Sequence, residues 1–451
     1  MAARKKVIVI VIDGLTPGVL ERGIEQGATP AVAFLAEHGR YGRAVSTFPS
    51  LTPVCLSSIA TGAHPDVHEI PHLVWYDRTA GRLVEYGSSF GAVRAAGMRR
   101  SILNTIFNMN ELHLSPRAVT VYEAVEDAGL TAAAINMTCY RGRHPHLPTV
   151  PGLTRAAYGP RRFFYYSLFQ SDVIGAPLAV RNRSAGTIDA YAAAAGRWLV
   201  TRDGFDLLVY YLSDFDYSSH ELGPEGAGEA LGRVDAAVGT LIAAAGSPDE
   251  FLERYAVILC SDHGQTLVER AIRLEDSFAG VRGAIVTASN RAGMVYRLAE
   301  CPLDVRALAE RLDEEPGAEA VLFLEGGEAV VRREREELRF ARTAAGWRTS
   351  GDASLLAYPN GPERVWCALH SANAGDVLVS PAAGLEFTDL AGRHHAGGGS
   401  HGSLLPGDSE VPVLTVGMEG EARSITDVAS LALAHLGIES PAYSQELAGA
   451  A

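Results

Sequence analysis

Aspartate and histidine residues follow three separate apolar runs of the sequence. Asp13 follows residues 7–12, Asp214, Asp216 and His220 follow residues 206–212, and Asp262 and His263 follow residues 255–260. Runs of this kind are typical of buried parallel strands, and ligands bind at the edge of the sheet where the carboxyl ends of such strands meet. We therefore expect these carboxylates and imidazoles to lie together at that edge.

A further candidate ligand, His401, lies in the glycine-rich segment 397–402. Carboxylate oxygens and imidazole nitrogens suit zinc or a similar divalent cation without any thiolate. Any one of the aspartates could instead form a turn or cap a helix, so the hypothesis depends on the whole set. That set is Asp13, Asp216, His220, Asp262, His263 and His401. Six ligands are too many for one tetrahedral ion and favour two ions, which can stabilise both the attacking and the leaving oxygen of a displacement.

The nucleophile for such a site would be a hydroxyl or thiol near the ions. Thr52 precedes Pro53 at the predicted start of a helix, where the helix dipole favours an alkoxide and bound phosphoryl oxygens. The same position is also typical of a plain helix cap. The local sequence leaves other candidates open, namely Ser50, Cys55, Ser57 and Ser58.

Strand and helix patterns alternate over the first two-thirds of the chain. Strands are predicted at residues 7–12, 131–136, 206–212 and 255–260, and helices at 29–38, 54–60, 120–128, 188–200 and 225–245. This order predicts an α/β fold with a doubly wound, mostly parallel sheet sandwiched by helices. A strand at 411–416 and a helix at 425–436 are expected to complete it.

Residues 267–395 have a different pattern, with short strand-like runs joined by turns. The runs lie at 294–298, 320–324, 329–332 and 338–342, with one helix expected at 303–313. We predict a smaller α+β insertion or cap over residues 267–395. The metallohydrolase core would then comprise residues 1–266 and 396–451.

Composition excludes several classes of protein. The chain has 451 residues and a net charge of −14, which argues against binding of a nucleic-acid polymer. We see no run of about 18 apolar residues, so no membrane span is expected. The run at 7–12 is too short for a signal peptide, and a cytoplasmic location is expected. Five scattered cysteines with no close pair predict neither a disulfide framework nor a zinc site built on paired thiolates.

Several of these segments resemble the motifs of one enzyme family. They are residues 12–14 (Ile-Asp-Gly), 48–52 (Phe-Pro-Ser-Leu-Thr), 61–65 (Thr-Gly-Ala-His-Pro), 216–224 (Asp-Tyr-Ser-Ser-His-Glu-Leu-Gly-Pro), 261–264 (Ser-Asp-His-Gly) and 400–402 (Ser-His-Gly). In this order they resemble the type I phosphodiesterase / nucleotide pyrophosphatase family of the alkaline phosphatase superfamily. The resemblance runs from Val7 to about Leu436.

The resemblance implies an alkaline phosphatase-like fold with two divalent metal ions, zinc or else manganese. It implies that Asp216, His220 and His401 hold one ion. The second ion would be held by Asp13, Asp262, His263 and the Thr52 oxygen. It further implies that Thr52 attacks phosphorus and forms a covalent phosphothreonine, which water then hydrolyses. The implied activity is that of a phosphodiesterase or nucleotide pyrophosphatase acting on a small phosphate ester.

The sequence departs from the family pattern near the expected substrate site. Pro53 stands where an aromatic residue commonly follows the nucleophile, and residues 72–75 contain no asparagine to contact a phosphoryl oxygen. His72 is a candidate for that contact, and Leu73 and Tyr211 are candidate substrate contacts. Asn290 and Arg291, at the entrance to the insertion, are a weaker candidate for anion binding.

Three other functions remain alternatives. A phosphomonoesterase would need an arginine or lysine near Thr52 to neutralise the extra phosphoryl charge, and none is evident in the sequence nearby. A phosphonate hydrolase is compatible with the same residues. The least favoured alternative is a non-catalytic binding protein stabilised by metal, which would be expected to lack one of the ligands. The sequence does not indicate the oligomeric state.

Overall fold

A computed structural model of the protein describes residues 4–150, 155–171 and 187–443. Its largest element is an eight-stranded sheet. In spatial order the strands are Gly39–Val45, Glu410–Val416, Tyr255–Cys260, Lys6–Ile12, Leu207–Leu212, Ala132–Ile135, Arg162–Tyr165 and Phe169–Ser171. The five strands from Tyr255–Cys260 to Arg162–Tyr165 run parallel, and the other pairings are antiparallel. The predicted mostly parallel sheet is confirmed.

The first strand, Lys6–Ile12, lies between Leu207–Leu212 and Tyr255–Cys260, with Val7 opposite Leu207 and Ala256. It is buried from Val7 onward, and alternate side chains point to opposite faces of a strand. One face packs in one hydrophobic cluster and the opposite face in another: Val7, Val9 and Val11 on the first, Ile8, Ile10 and Ile12 on the second. The sheet is therefore covered on both faces, as its continuous β-branched sequence predicts.

Several of the α-helices begin at a proline, which is favoured in the first helical turn. They are Pro17–Glu25, Pro30–Glu37, Thr52–Thr61, Pro65–His68, Phe90–Ala96, Met98–Leu103, Val121–Asp127, Ile188–Thr201, Asp214–Leu222, Gly228–Ala244, Pro248–Arg254, Val305–Asp313, Gly361–Leu369, Pro406–Ser409 and Asp427–Leu436. A π-helix covers Asn104–His113, and short 3₁₀ helices cover Leu274–Phe278 and Ala353–Leu356. Within the described ranges, every helix is too short or too polar to span a lipid bilayer.

A second, seven-stranded sheet lies entirely inside the range predicted for the insertion. In spatial order its strands are Ala284–Ser289, Ala292–Arg297, Val377–Pro381, Ala318–Glu325, Glu328–Arg333, Glu336–Thr343 and Gly346–Gly351, all antiparallel to their neighbours. Helices Val305–Asp313 and Gly361–Leu369 pack against it. The division of the chain into a core and an insertion domain stays a prediction.

Four two-stranded ladders join the remaining segments. They pair Val74–Asp77 with Arg82–Glu85, His144–His146 with Ala157–Gly159, Thr266–Leu267 with Gly399–Ser400, and Arg270–Ile272 with Leu385–Phe387. The last two bring the beginning and the end of the predicted insertion side by side. They return the chain to the core and place residue 401 close to residues 262 and 263.

Candidate active site

The predicted ligands meet where three neighbouring parallel strands end. Asp13 directly follows the strand Lys6–Ile12, and Asp262 and His263 follow Tyr255–Cys260. Asp216 and His220 lie one turn apart on the helix Asp214–Leu222, which follows the third strand. Gly14 has a φ of +70°, and a Cβ at this position would lie 2.8 Å from the Asp216 Oδ1. Glycine therefore lets Asp13 and Asp216 approach each other closely.

His263 lies at the centre of the first group of ligands. Its Nε2 is 3.3 Å from Asp13 Oδ1, 3.4 Å from Asp262 Oδ2 and 3.1 Å from Thr52 Oγ1. Its Nδ1 lies 3.0 Å from the carbonyl oxygen of Gly264, so the proton sits on Nδ1 and the Nε2 lone pair faces the group.

Asp216 lies at the centre of the second group. Its Oδ2 is 3.3 Å from His220 Nε2, and its Oδ1 is 3.9 Å from His401 Nε2. The Nδ1 atoms of His220 and His401 each lie 2.8 Å from a backbone carbonyl oxygen, of Gly399 and Ser50 respectively. The Nε2 atoms of both rings therefore face Asp216.

The two groups adjoin. The rings of His263 and His401 are stacked with centroids 3.6 Å apart. An Asp216 oxygen also lies within 4.8 Å of ligand atoms of Asp13 and His263. All seven predicted metal and nucleophile residues are therefore brought together in one compact site.

These residues fit divalent metal ions. Asp13 Oδ1 and Asp262 Oδ2 are buried and form no hydrogen bond. Burial, followed by the charges of Asp262 and Asp216, raises the pKa of Asp13 well above its ordinary value, so the carboxylates need a nearby positive charge to remain ionised. A tetrahedral zinc with bonds of about 2.0–2.1 Å separates its ligand atoms by about 3.3 Å, which is close to most of the separations described above.

A cavity of ≈ 500 Å³ opens from this site. Thr52, Leu73 and Tyr211 line it, together with four further tyrosines: Tyr86, Tyr165, Tyr166 and Tyr217. Tyr211 also donates a hydrogen bond to Asp13 Oδ2. None of the described residues that line the cavity is a lysine or an arginine.

His72 does not reach the cavity, although it was expected to contact a phosphoryl oxygen. It is buried, its Nε2 lies 3.2 Å from the carbonyl oxygen of Ala292, and its Nδ1 accepts a hydrogen bond from the Val74 N–H. Burial lowers its pKa to about 4, so the ring is neutral. Its position corrects the expectation, because both nitrogens are already occupied by the backbone.

Asn290, rather than His72, lies beside the candidate ligands, where it could contact a phosphoryl oxygen. Its Nδ2 lies 3.1 Å from His401 Nε2, and its Oδ1 accepts a hydrogen bond from the Ser289 hydroxyl. It has a φ of +56°, a left-handed conformation that asparagine tolerates better than most residues. The only signal in the sequence is its place beside Arg291 at the entrance to the insertion, because its approach to the site is a tertiary contact.

Two further side chains support the ligands. Gln265 Nε2 donates to Asp216 Oδ1 over 2.7 Å. His395 stacks on His220 with ring centroids 4.1 Å apart, and its Nδ1 lies 3.0 Å from the buried carboxylate of Glu386. Gln265 and Glu386 were not singled out in the sequence, since neither lies in a ligand motif.

The sequence matches the model of the type I phosphodiesterase / nucleotide pyrophosphatase family over residues 7–404. The chain belongs to this family. The expected family and class of enzyme are thereby confirmed, and the protein is a phosphoric ester hydrolase. The family is one of metal-dependent hydrolases, in agreement with the groups of candidate ligands.

Solved structures of similar fold include two enzymes of related chemistry. Phosphonoacetate hydrolase from Sinorhizobium meliloti 1021, in complex with phosphonoformate, is 19% identical with a TM-score of 0.63, over 96% of both chains. Murine ectonucleotide pyrophosphatase / phosphodiesterase 5 is 15% identical with a TM-score of 0.62, over 97% of this chain and 96% of the other. An inactive variant of the murine protein was solved in complex with AMP, with 16% identity, a TM-score of 0.62 and the same coverage.

At these identities the solved structures establish the fold alone, which is alkaline phosphatase-like. No match was found among curated proteins.

Proposed function

We propose that this family member is a two-metal phosphodiesterase that uses Thr52 as its nucleophile. The observation that carries the proposal is the position of the Thr52 hydroxyl. Its Oγ1 lies 3.1 Å from His263 Nε2 at the first residue of the helix Thr52–Thr61, within the group of ligands and on the wall of the cavity. The other hydroxyl and thiol candidates, Ser50, Cys55, Ser57 and Ser58, are fully buried.

The residues present fit two zinc ions, with manganese as the alternative metal. Asp216, His220 and His401 would hold one ion, and Asp13, Asp262 and His263 the other, with the Thr52 oxygen. When bound, such ions stabilise the nucleophile, the leaving oxygen and the charge on the phosphoryl group. The backbone carbonyl contacts of the three histidine Nδ1 atoms orient each ring for this role.

Thr52 attacks phosphorus while the bond from phosphorus to the leaving oxygen breaks, and the leaving group departs as an alcohol that carries away the Thr52 proton. The second ester group stays on phosphorus, so the intermediate is a phosphothreonine ester. The positive end of the helix dipole favours the Thr52 alkoxide and the phosphoryl oxygens beside it. Asn290 donates from Nδ2 to one of these oxygens, and Ser289 fixes the amide orientation. Water then cleaves the bond between Thr52 and phosphorus, which releases a phosphate monoester and restores the Thr52 hydroxyl.

A diester is favoured over a monoester by the charge of the cavity wall. A monoester brings an additional negative charge, and the described lining offers no lysine or arginine to neutralise it. The same argument disfavours a phosphonate that carries a carboxylate. The tyrosine-rich wall suits an aromatic or otherwise largely apolar leaving group, and the AMP complex of the murine neighbour makes a nucleotide diester one candidate.

The test compares zinc-loaded protein on a bis-aryl phosphate diester and on the corresponding aryl monoester. We expect the diester to be preferred. Thr52→Ala should lower its turnover at least roughly 10³-fold, while Asp13, Asp262 and His263 still hold the ion that loses the Thr52 oxygen. Ser57→Ala, on the same helix, is the matched control and should retain activity. Monoester preference, or diester hydrolysis that survives Thr52→Ala, would contradict the proposal.

A further inference from the structure

A second group of metal-binding side chains lies outside the candidate active site. His64 precedes the short helix Pro65–His68, and Glu363 and Cys367 lie one turn apart on the helix Gly361–Leu369. One ligand atom from each lies within 4.8 Å of the other two. Cys367 Sγ is 3.5 Å from Glu363 Oε1, and a tetrahedral zinc separates a sulfur and an oxygen ligand by about 3.5 Å.

One polar atom of this group lacks a partner. His64 is only 6% exposed and its Nδ1 forms no hydrogen bond. Buried polar atoms are normally paired, because leaving water without a new partner is costly. The unpaired nitrogen indicates that a further group belongs beside His64.

Arg342 gives the group a partial substitute for a metal. It forms an ion pair with Glu363 Oε1 and its side chain is 40% exposed. This pairing leaves His64 Nδ1 without a partner. The paired oxygen is also the one that lies 3.5 Å from Cys367 Sγ, so a metal ion bound between Glu363 and Cys367 would displace the Arg342 side chain.

We propose that His64, Glu363 and Cys367 form a zinc site separate from the candidate active site, with water as the fourth ligand. The thiolate makes this donor set softer than the oxygen and nitrogen set beside Thr52, and so selects zinc over manganese or magnesium. None of the three residues lines the catalytic cavity. The absence of a close cysteine pair in the sequence does not exclude such a site, because its ligands come from segments far apart in the chain.

The site would join the nucleophile helix to the second sheet. His64 lies three residues after the end of the helix Thr52–Thr61, whereas Glu363 and Cys367 belong to the helix that packs on the seven-stranded sheet. A bound ion would therefore anchor the far end of the helix that begins at Thr52. Its role is structural, since no substrate-sized cavity includes its ligands among the cavities described for this chain.

The test uses cobalt(II), whose bond to a thiolate gives a charge-transfer band in the near ultraviolet. The active-site ligands contain no sulfur, so this band reports on the proposed site alone and is independent of the catalytic mechanism. We expect the full-length, metal-free protein to develop the band as cobalt is added. Cys367→Ser should abolish it and lower the zinc content by one equivalent per chain.

Two further variants test whether the band depends on the proposed ligands. Cys301→Ser removes another buried cysteine of the second-sheet region and should keep the band. Glu363→Gln, a conservative change, should keep the fold and weaken cobalt binding by about 10-fold or more. A wild-type protein without the band, or a band that survives Cys367→Ser, would overturn the proposal whether or not the protein hydrolyses diesters.

Discussion

Two adjacent tyrosines on the strand Leu207–Leu212 provide a matched pair of variants. The Tyr211 hydroxyl donates to Asp13 Oδ2, whereas the Tyr210 hydroxyl is buried without a partner. Residues that orient a metal ligand typically contribute 10–100-fold to metal affinity. Tyr211→Phe should therefore lower zinc affinity by roughly 10–100-fold, measured by titration against a chelator. Tyr210→Phe should leave it unchanged, and equal effects of the two substitutions would contradict the role given to Tyr211.

Asn290 allows a test of phosphoryl binding that does not remove a metal ligand. If its Nδ2 donates to a phosphoryl oxygen in the transition state, Asn290→Ala should lower kcat by roughly 10²-fold. Metal content should not change. Because the backbone at this position has a positive φ, Asn290→Gly is the control for strain and should lose activity equally. A variant with normal kcat would show that the amide only supports His401.

Most of the proposed metal ligands could be predicted from the sequence because they follow strands that are themselves recognisable, whereas His401 and Thr52 were suggested by a glycine-rich segment and a helix start. Asp13, Asp216 and Asp262 are each placed by a run of apolar residues. Asn290 and Gln265 could not be predicted in this way, since their roles depend on contacts with His401 and Asp216 across the fold. The expected role of His72 was wrong for the same reason, because nothing in the local sequence indicates that its Nε2 contacts the carbonyl oxygen of Ala292.

The hairpin formed by the strands Val74–Asp77 and Arg82–Glu85 buries the carboxylate of Glu85 at its end. Glu85 accepts hydrogen bonds from the N–H groups of Gly87 and Ser88 and from the Ser88 hydroxyl. Burial nevertheless raises its pKa from 4.5 to about 7, with the charge of Asp389 acting in the same direction. The folded protein therefore binds this proton more tightly than the unfolded chain does.

The stability of the hairpin region should depend on pH in a definite direction. Below the unfolded pKa both states are protonated and the contribution of Glu85 is fully present. As pH rises towards 7 the unfolded chain ionises first, so up to about 3 kcal/mol of unfolding free energy is lost. Above that range the loss is constant.

Glu85→Gln should remove this loss because an amide carries no charge. Its oxygen can accept from the N–H groups of Gly87 and Ser88, and its NH2 group can donate to the Ser88 hydroxyl oxygen in place of the bond that Glu85 accepts. We expect the variant to be more stable than wild type at pH 8 and close to it at pH 4.5, in urea unfolding of metal-free protein. Using the difference between variant and wild type cancels the other titrating groups. A difference that does not vary with pH would contradict this assignment, and Glu229→Gln, at an exposed carboxylate, is the control.

The long elements were predictable and the short ones were not. The strand Tyr255–Cys260 and the helix Ile188–Thr201 follow from clear periodic patterns. Phe90–Ala96, Met98–Leu103 and the π-helix Asn104–His113 were missed. The first two helices leave large apolar residues such as Phe90 and Met98 exposed, so they show no clear amphipathic pattern. Residues of the π-helix form part of the cavity wall.

A buried ion pair connects the eight-stranded sheet with the seven-stranded sheet. Arg291, beside the strand Ala292–Arg297, places Nη1 2.8 and 3.0 Å from the two carboxylate oxygens of Asp408, which precedes the strand Glu410–Val416. Both side chains are 0% exposed. Arg291 also donates to the carbonyl oxygens of Leu385 and Ala382.

Removing one partner of this pair should be more harmful than removing both. Asp408→Asn should lower the unfolding free energy by about 3–5 kcal/mol because it leaves a buried guanidinium charge unpaired. The double variant Arg291→Met, Asp408→Asn should cost less than the sum of the single changes in a double-mutant cycle.

The control for this cycle is Glu21→Gln, which breaks an exposed pair with Arg43 and should cost no more than about 1 kcal/mol. If Asp408→Asn were as mild as this control, the buried pair would not stabilise the junction of the two sheets.

The order of the proposed ligands along the chain has a consequence for biosynthesis. Asp13 is synthesised long before His401, because the whole second sheet lies between them in the chain. The ladder Thr266–Leu267 / Gly399–Ser400, which brings residue 401 back to the core, also needs residues made after that sheet. Since a nascent chain folds its N-terminal part first, Asp13 and Asp262 would be present before the proposed ligand set is complete. Loading with metal would therefore be a late event.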